Sequence, residues 1–302
     1  MKILLFGRDG QVGWELQRSL SVLGEVIALG SDSARNPHNL CGNFSDLAGL
    51  AATVQAVQPD VIVNAAAHTA VDKAESEPEY ARRLNALAPA VLAAEAQKLG
   101  AWLVHYSTDY VFDGSGSAPW KEADATGPLS VYGRTKLEGE QAVAGTPKHL
   151  ILRTSWVYGA RGGNFAKTML RLASERESLT VIDDQFGAPT SAELLAEVTA
   201  HVIRAAMGKP ELAGLYHCVA GGETNWHGYA QFVLDTAQAL SWTLKAGPDQ
   251  VAATSTASYP TPAQRPLNSR LNTDKIKDAF DLTLPQWQSG VARMLTEITG
   301  KN

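Results

Sequence analysis

Lys2-Ile3-Leu4-Leu5-Phe6-Gly7-Arg8-Asp9-Gly10-Gln11-Val12-Gly13 opens the chain, and its residue types follow the order of the elements they predict. Ile3 to Phe6 make a short apolar strand, the pattern of a strand covered on both faces in a parallel sheet. Glycines at 7, 10 and 13 turn the chain, and Val12, Leu16, Leu20 and Leu23 then recur on one helical face. A glycine-rich turn between strand and helix lets the backbone approach a pyrophosphate and aims a helix N-terminus at it. Glycines near a turn occur in any fold, so the weight of Gly7, Gly10 and Gly13 lies in their place at the first strand-to-helix junction.

Working outward, Glu25–Leu29 is a second strand ending in Gly30-Ser31-Asp32-Ser33-Ala34-Arg35. An NAD-preferring site often has an acidic residue here for the ribose 2′-hydroxyl. Asp32 is within reach of that hydroxyl, whereas Ser31 and Arg35 suit a 2′-phosphate. The preference stays open, tilted toward NADPH by the missing strand-end carboxylate. Val61-Ile62-Val63-Asn64 is a third buried strand, followed by small residues Ala65 to Ala67 that let a flat ligand lie on the backbone. His68 is either a ligand contact or an ordinary loop histidine. Asp72, Glu75, Glu77 and Glu79 lead into a long Ala-rich helix reaching Leu99, with carboxylates placed favourably near its start. Trp102–Ser107 is the next strand, and Thr108 and Asp109 follow its carboxyl end, where open parallel sheets bind ligands. The strand His149–Gly159 closes the regular series.

Beyond it the alternation loosens. Helices are expected over 164–174, 192–207, 226–240 and 285–299, with strands at 179–182 and 215–219. The segment 245–268, with prolines at 248, 260, 262 and 266, reads as loop. The expected fold is α/β: a Rossmann-type doubly wound parallel sheet over residues 1–159, drawing on 191–220, with a smaller C-terminal α/β substrate-binding domain over 160–302.

Tyr132-Gly133-Arg134-Thr135-Lys136 carries the chemistry. Four residues is just over one helical turn, so phenol and ammonium share a face. A phenol with a pKa near ~10 is a poor acid or base at pH 7, and a neighbouring cation favours its ionised form. Such a pair alone is most often a solvated helix face; the glycine turn and Thr108 at a strand end give it a second meaning.

Composition narrows the alternatives. The 302 residues are 45% hydrophobic and 19% charged, enough for a substantial core. A net charge of −5 with no basic run argues against nucleic-acid or membrane-surface partners. Cys41 and Cys218 belong to no C-x-x-C and read as reduced thiols. With no signal segment and no apolar run of about 18 residues, the expectation is a cytoplasmic protein.

Taken together, Gly7/Gly10/Gly13, Asn64-Ala65-Ala66-Ala67, Ser107-Thr108-Asp109-Tyr110-Val111-Phe112-Asp113-Gly114 and Tyr132-x-x-x-Lys136 resemble the extended short-chain dehydrogenase/reductase family. The blocks Ala67–Glu75, Arg153–Tyr158, Asp184–Thr190 and Arg265–Leu271 resemble its branch that reduces the 4-ketone of a dTDP-linked 6-deoxy sugar. Coverage runs from residue 1 to the final helix. The resemblance implies hydride transfer from NADPH or NADH to dTDP-4-dehydro-6-deoxy-L-mannose, giving dTDP-L-rhamnose. It implies Tyr132 as general acid, Lys136 binding the nicotinamide ribose and lowering the Tyr132 pKa, and Thr108 orienting the carbonyl beside Asp109. Gly10, Gln11 and Val12 would meet the pyrophosphate, Asn43, Phe44, Ala67, His68, Thr69 and Tyr106 would line the cofactor channel, and Trp156 would lie against the sugar. Arg265 is a candidate for the substrate diphosphate, its planar fork suiting phosphate oxygens; the plainer reading is a surface salt bridge. The resemblance further implies a homodimer bridged by Mg²⁺, for which Glu15, Glu193 and Glu297 match by local context. Two other readings are a sister ketoreductase of different C4 configuration and a non-catalytic dinucleotide-binding regulatory subunit. Thr108, Tyr132 and Lys136 being all present argues against the last.

Overall fold

The structure, a computed structural model, describes residues 1–300. Strands β1 (Lys2–Phe6), β2 (Glu25–Leu29), β3 (Val61–Asn64), β4 (Trp102–Thr108) and β5 (His149–Thr154) form one sheet with the strand Gly214–His217. All pairings are parallel, in the order Gly214–His217, β5, β4, β3, β1, β2. The chain passes from β1 to β2 on one side and then crosses to β3 on the other. The doubly wound order therefore reverses at β1, which opens a crevice at the carboxyl ends of β1 and β3.

The first half supplies helices α1 (Gln11–Ser21), α2 (Leu47–Val57), α3 (Val71–Ser76), α4 (Pro78–Arg82), α5 (Ala88–Leu99) and α6 (Val131–Ala144). The second supplies α7 (Phe165–Glu175), α8 (Ala192–Ala206), α9 (Trp226–Ala239), α10 (Asp274–Phe280) and α11 (Trp287–Thr299). Alternation along β1 sends Ile3 and Leu5 to one core with Leu16 and Leu20 of α1 and Leu195 and Val202 of α8. Leu4 and Phe6 face the opposite core with Leu50 and Val54 of α2 and Leu92 and Ala96 of α5. Each such fully buried leucine is worth about 1.5–3 kcal/mol over an exposed one. These two layers cover both faces of β1 behind the glycine turn. A separate core joins α7, α9 and α11 to the strand Leu179–Ile182.

Two sequence expectations are corrected here. The long Ala-rich helix is interrupted: Glu77 leaves helical geometry, Pro78 restarts the helix at its first position, and Arg83–Leu87 forms a π-turn before α5. Period-3.6 patterning cannot show an inserted residue of this kind. The segment 245–268 is not all loop, because Val251–Thr254 pairs in parallel with Leu179–Ile182. Val-Ala-Ala-Thr is a weak strand signal alone and is drawn into one by an available neighbouring edge.

Candidate active site

A cleft of about 660 Å³ lies over the carboxyl ends of β1, β3, β4 and β5. Its floor at the N-terminal end is the glycine turn. Gly7 has φ +89°, and a Cβ there would lie 2.6 Å from the Ala65 carbonyl carbon, so only glycine permits this approach of the two crossover loops. The Gly10 N–H donates to the Gly7 carbonyl (3.0 Å), and α1 starts directly after. Gly7, Gly10, Gln11, Val12, Ser31, Asn43, Phe44, Ala67, Thr69 and Tyr106 all line the cleft. Gly13 does not, and packs instead against the Gly7 carbonyl. Asp32 and Arg35 sit outside the lining; the Arg35 Nε donates to Asp32 Oδ2 at 3.0 Å.

Tyr132 and Lys136 reach the cleft from α6, whose start is fixed by its neighbours. The Ser130 hydroxyl accepts from the Gly133 N–H (3.2 Å), and Glu75 accepts from the Val131 N–H (2.7 Å). A Cβ at Gly139 would run into the Asn85 carbonyl, so the helix lies tightly on the π-turn. Asn85 itself, which sequence reading missed, is buried and ties three parts together. Its Oδ1 accepts from the His68 N–H (2.8 Å), and its Nδ2 donates to the His68 carbonyl and the Thr135 hydroxyl (3.1 Å each). Asn85 thus registers the loop after β3 against the tyrosine helix. Only the π-turn directs it inward, and the sequence carries no clear sign of that turn. His68 serves this framework too: it is buried, its ring meets Tyr80 edge-on, and it does not line the cleft.

The reacting groups converge at the end of β4. The Thr108 hydroxyl donates to Asp109 Oδ1 (3.0 Å) and accepts from the Tyr110 N–H (3.2 Å). Thr108 also lies against the Tyr132 phenol. Burial pushes the Tyr132 pKa up to about 12, partly offset by Thr108. Burial likewise raises Asp109 to about 6, with nearby Ser269 and Thr108 opposing, and its Oδ2 has no partner among the described residues. Lys136 is almost fully buried, and its Nζ donates to the Tyr106 carbonyl at 2.5 Å. Burial lowers its pKa to about 8, with Glu140 opposing. The expected lowering of the Tyr132 pKa by Lys136 is therefore not what this state shows. Desolvation of the phenol prevails, and the ammonium is engaged with a backbone carbonyl. Under β4, Asn64 donates to His105 Nδ1 (3.0 Å), and burial with the Lys136 charge keeps that imidazole neutral.

At the far end, Trp156 takes a positive φ of 49° and stacks on Trp226, ring centroids 3.7 Å apart. Both line the cleft. Trp226 was missed because it begins a helix more than sixty residues downstream; its Nε1 donates to Gln185 (3.0 Å) in the Asp184–Thr190 block. Arg265 does not face the cleft. It binds Asp72 at 2.9 Å and lies beside Tyr110, which does line the cleft.

Glu15, Glu193 and Glu297 lie near one another, each of the latter two raising the Glu15 pKa after its own burial. Glu193 faces Arg293 (3.4 Å) and Glu15 faces Arg18 (3.7 Å). Among the described residues no three acidic, histidine or cysteine side chains are placed to hold a metal ion, so these glutamates do not fit Mg²⁺ within one chain. No helix among the described residues is long and apolar enough to cross a membrane.

A doubly wound parallel sheet, a glycine turn at its switch point and a Thr-Tyr-Lys set at the adjoining strand ends define a dinucleotide-dependent oxidoreductase of the short-chain dehydrogenase/reductase class. Comparison with known proteins narrows this. Residues 1–299 match the family described as RmlD substrate binding domain. A dTDP-4-dehydrorhamnose reductase of Salmonella typhimurium is 62% identical over 99% of this chain and 98% of its own, and one of Escherichia coli K12 is 58% identical over the same shares. A solved reductase of that name from Clostridium acetobutylicum superposes with a TM-score of 0.87 at 33% identity, covering 99% of this chain and 100% of the other. Another, from Bacillus anthracis in complex with NADP, gives 0.85 at 31% identity over 98% and 99%. The chain belongs to the dTDP-4-dehydrorhamnose reductase family.

Proposed function

We propose that this chain reduces the C4 ketone of dTDP-4-dehydro-6-deoxy-L-mannose to dTDP-L-rhamnose, with Tyr132 as the proton donor. The observation that carries the reading is the convergence of Thr108, Tyr132 and Lys136 on one cleft that runs from the glycine turn to the Trp156–Trp226 stack. The names of the relatives and the NADP complex of one of them support the substrate and the cofactor. We read residues 1–159, with α8 and the strand Gly214–His217, as the dinucleotide half, and the remainder of 160–302 as the sugar half.

The nicotinamide, when bound, supplies the hydride for C4. The close-packed loops at Gly7 and Ala65 leave the start of α1 open to the cleft, where its backbone N–H groups would receive a pyrophosphate. A phenol raised to about 12 is protonated at neutral pH, as an acid donating to the C4 oxygen must be. Thr108 holds that oxygen within reach of Tyr132, and the Lys136 ammonium, one helical turn away, favours the phenolate left behind. The Trp156–Trp226 stack offers an apolar platform for the sugar.

NADPH oxidation in the presence of dTDP-4-keto-6-deoxy-glucose and the matching 3,5-epimerase tests the reading. Oxidation that depends on the epimerase, with L-rhamnose configuration by product NMR, is expected. A product of other C4 configuration would make the chain a sister ketoreductase, and absence of oxidation would refute the assignment.

A further inference from the structure

β2 ends without a carboxylate, yet one occupies its place. Gly30 is held by Asn36, whose Oδ1 accepts from the Gly30 N–H and whose Nδ2 donates to the Gly30 carbonyl, each at 2.9 Å. A Cβ built at Gly30 would run into the Asp9 carboxylate and lie 3.1 Å from Arg8 Nη2. Asp9, from the glycine turn, therefore fills the volume that a side chain ending β2 would fill. Asp9, Gly30 and Ser31 all line the cleft.

Two guanidinium groups flank this carboxylate. Arg8 Nε is 3.6 Å from Asp9 Oδ1, and Arg35 Nη2 is 4.0 Å from Asp9 Oδ2. Arg8 is anchored by Nη1 to the carbonyls of Ala28 and Arg35, at 3.2 Å each. Asp32 holds the other side of Arg35. The quartet is neutral: two carboxylates and two guanidinium groups. The contacts to Asp9 are long for ion pairs, and Asp9 and Arg35 are half-exposed or more, so a ligand group can enter among them.

We propose that Asp9 is the dinucleotide-selecting residue of this chain. It stands in for the absent strand-end carboxylate and accepts the ribose 2′-hydroxyl of NADH, while Arg8 and Arg35 turn to the 2′-phosphate of NADPH. A carboxylate alone at this point repels a 2′-phosphate; with both arginines beside it, neither dinucleotide is shut out. The tilt toward NADPH read from Gly30 is thereby removed. The proposal rests on the reading that this cleft binds a dinucleotide.

Binding of NADH and NADPH to the purified full chain, without sugar, is measured by calorimetry or tryptophan quenching, with 5′-AMP and adenosine 2′,5′-bisphosphate as competitors. The unaltered chain binds both dinucleotides, and the bisphosphate competes more weakly as salt rises, whereas 5′-AMP changes less. Asp9→Asn weakens NADH about tenfold, the order expected for one charge-assisted hydrogen bond at a half-exposed site, while NADPH binds as well or better. Arg35→Ala shows the reverse, weakening NADPH about tenfold with a far smaller effect on NADH. The double substitution Asp9→Ala with Gly30→Asp returns a carboxylate to the same volume and restores NADH affinity. NADPH binding by Asp9→Asn reports that the variant is folded. An equal effect of Asp9→Asn on both dinucleotides, or none on either, overturns the proposal and leaves the dinucleotide reading standing. Binding of neither dinucleotide by the unaltered chain overturns both.

Discussion

Asp109→Asn separates the energetic burden of the site from its chemistry. The carboxyl is 2% exposed, accepts one hydrogen bond from Thr108 at 3.0 Å and leaves Oδ2 unpartnered. Its pKa rises from an ordinary 3.8 to about 6 through burial. The folded state therefore holds this proton more tightly than the unfolded chain does. The associated stability is complete below pH ~4 and is lost as pH rises through about 6. A two-unit difference corresponds to about 3 kcal/mol in full, of which about 2 kcal/mol falls between pH 4.5 and 8. Asparagine keeps the acceptor for Thr108 and cannot ionise, so the variant lacks this particular loss. Urea unfolding of both proteins at pH 4.5 and 8 isolates the term, because every other titrating group is common to the two. The stability difference, variant minus parent, should move by about 2 kcal/mol in favour of the variant between these pH values. A difference independent of pH would show that Asp109 is already ionised at little cost, and the account of a burdened carboxylate beside Thr108 would be wrong.

Tyr132→Phe should retain NADPH binding and lose about 10²–10⁴-fold in turnover, the usual range for one general acid; unchanged turnover removes the phenol from the mechanism. Reduction should decline above about pH 8, where the buried Lys136 loses its charge, and a profile flat to pH 10 would show that this charge is not needed. A Cβ at Gly187 would sit 2.9–3.2 Å from ring atoms of Trp156, so Gly187→Ala should displace that ring from its stack. Strain of about 1 kcal/mol or more predicts roughly a fivefold rise in KM for the sugar nucleotide with NADPH affinity unaltered. A rise confined to NADPH would place the Trp156–Trp226 pair at the wrong end of the cleft.

The parallel sheet was legible because its strands are short apolar runs that fill both cores, a pattern that depends on each segment's own residues. Lys2–Phe6 and Val61–Asn64 read the same alone as they do paired. Thr108, Tyr132 and the glycine turn were legible for a related reason: local spacing places each on its element, and sheet topology then brings the elements together. What escaped depends on partners remote in the chain. Trp226 acquires a role only by meeting Trp156, and Asn85 only because a π-turn rotates it toward His68 and Thr135. Asp9 was quoted within the first motif yet carried no meaning until β2 laid Gly30 beneath it. Arg265 was open to two readings because a guanidinium suits phosphate and carboxylate equally, and only the fold supplies Asp72 as a partner.

The tyrosine shows how local spacing can be right about position and wrong about energetics. Tyr-x-x-x-Lys places phenol and ammonium on one helical face, from which a depressed phenol pKa was expected. Position alone does not fix the sign of the shift, because moving the phenol out of water opposes ionisation whatever cation lies nearby. Here burial prevails for both partners in opposite directions, raising Tyr132 to about 12 and lowering Lys136 to about 8. Ketone reduction consumes a proton, and a phenol is in its acid form at neutral pH with or without burial; what burial adds is a cost to the phenolate left behind. The cation is needed as that phenolate appears, and Lys136 lies one helical turn along the same helix.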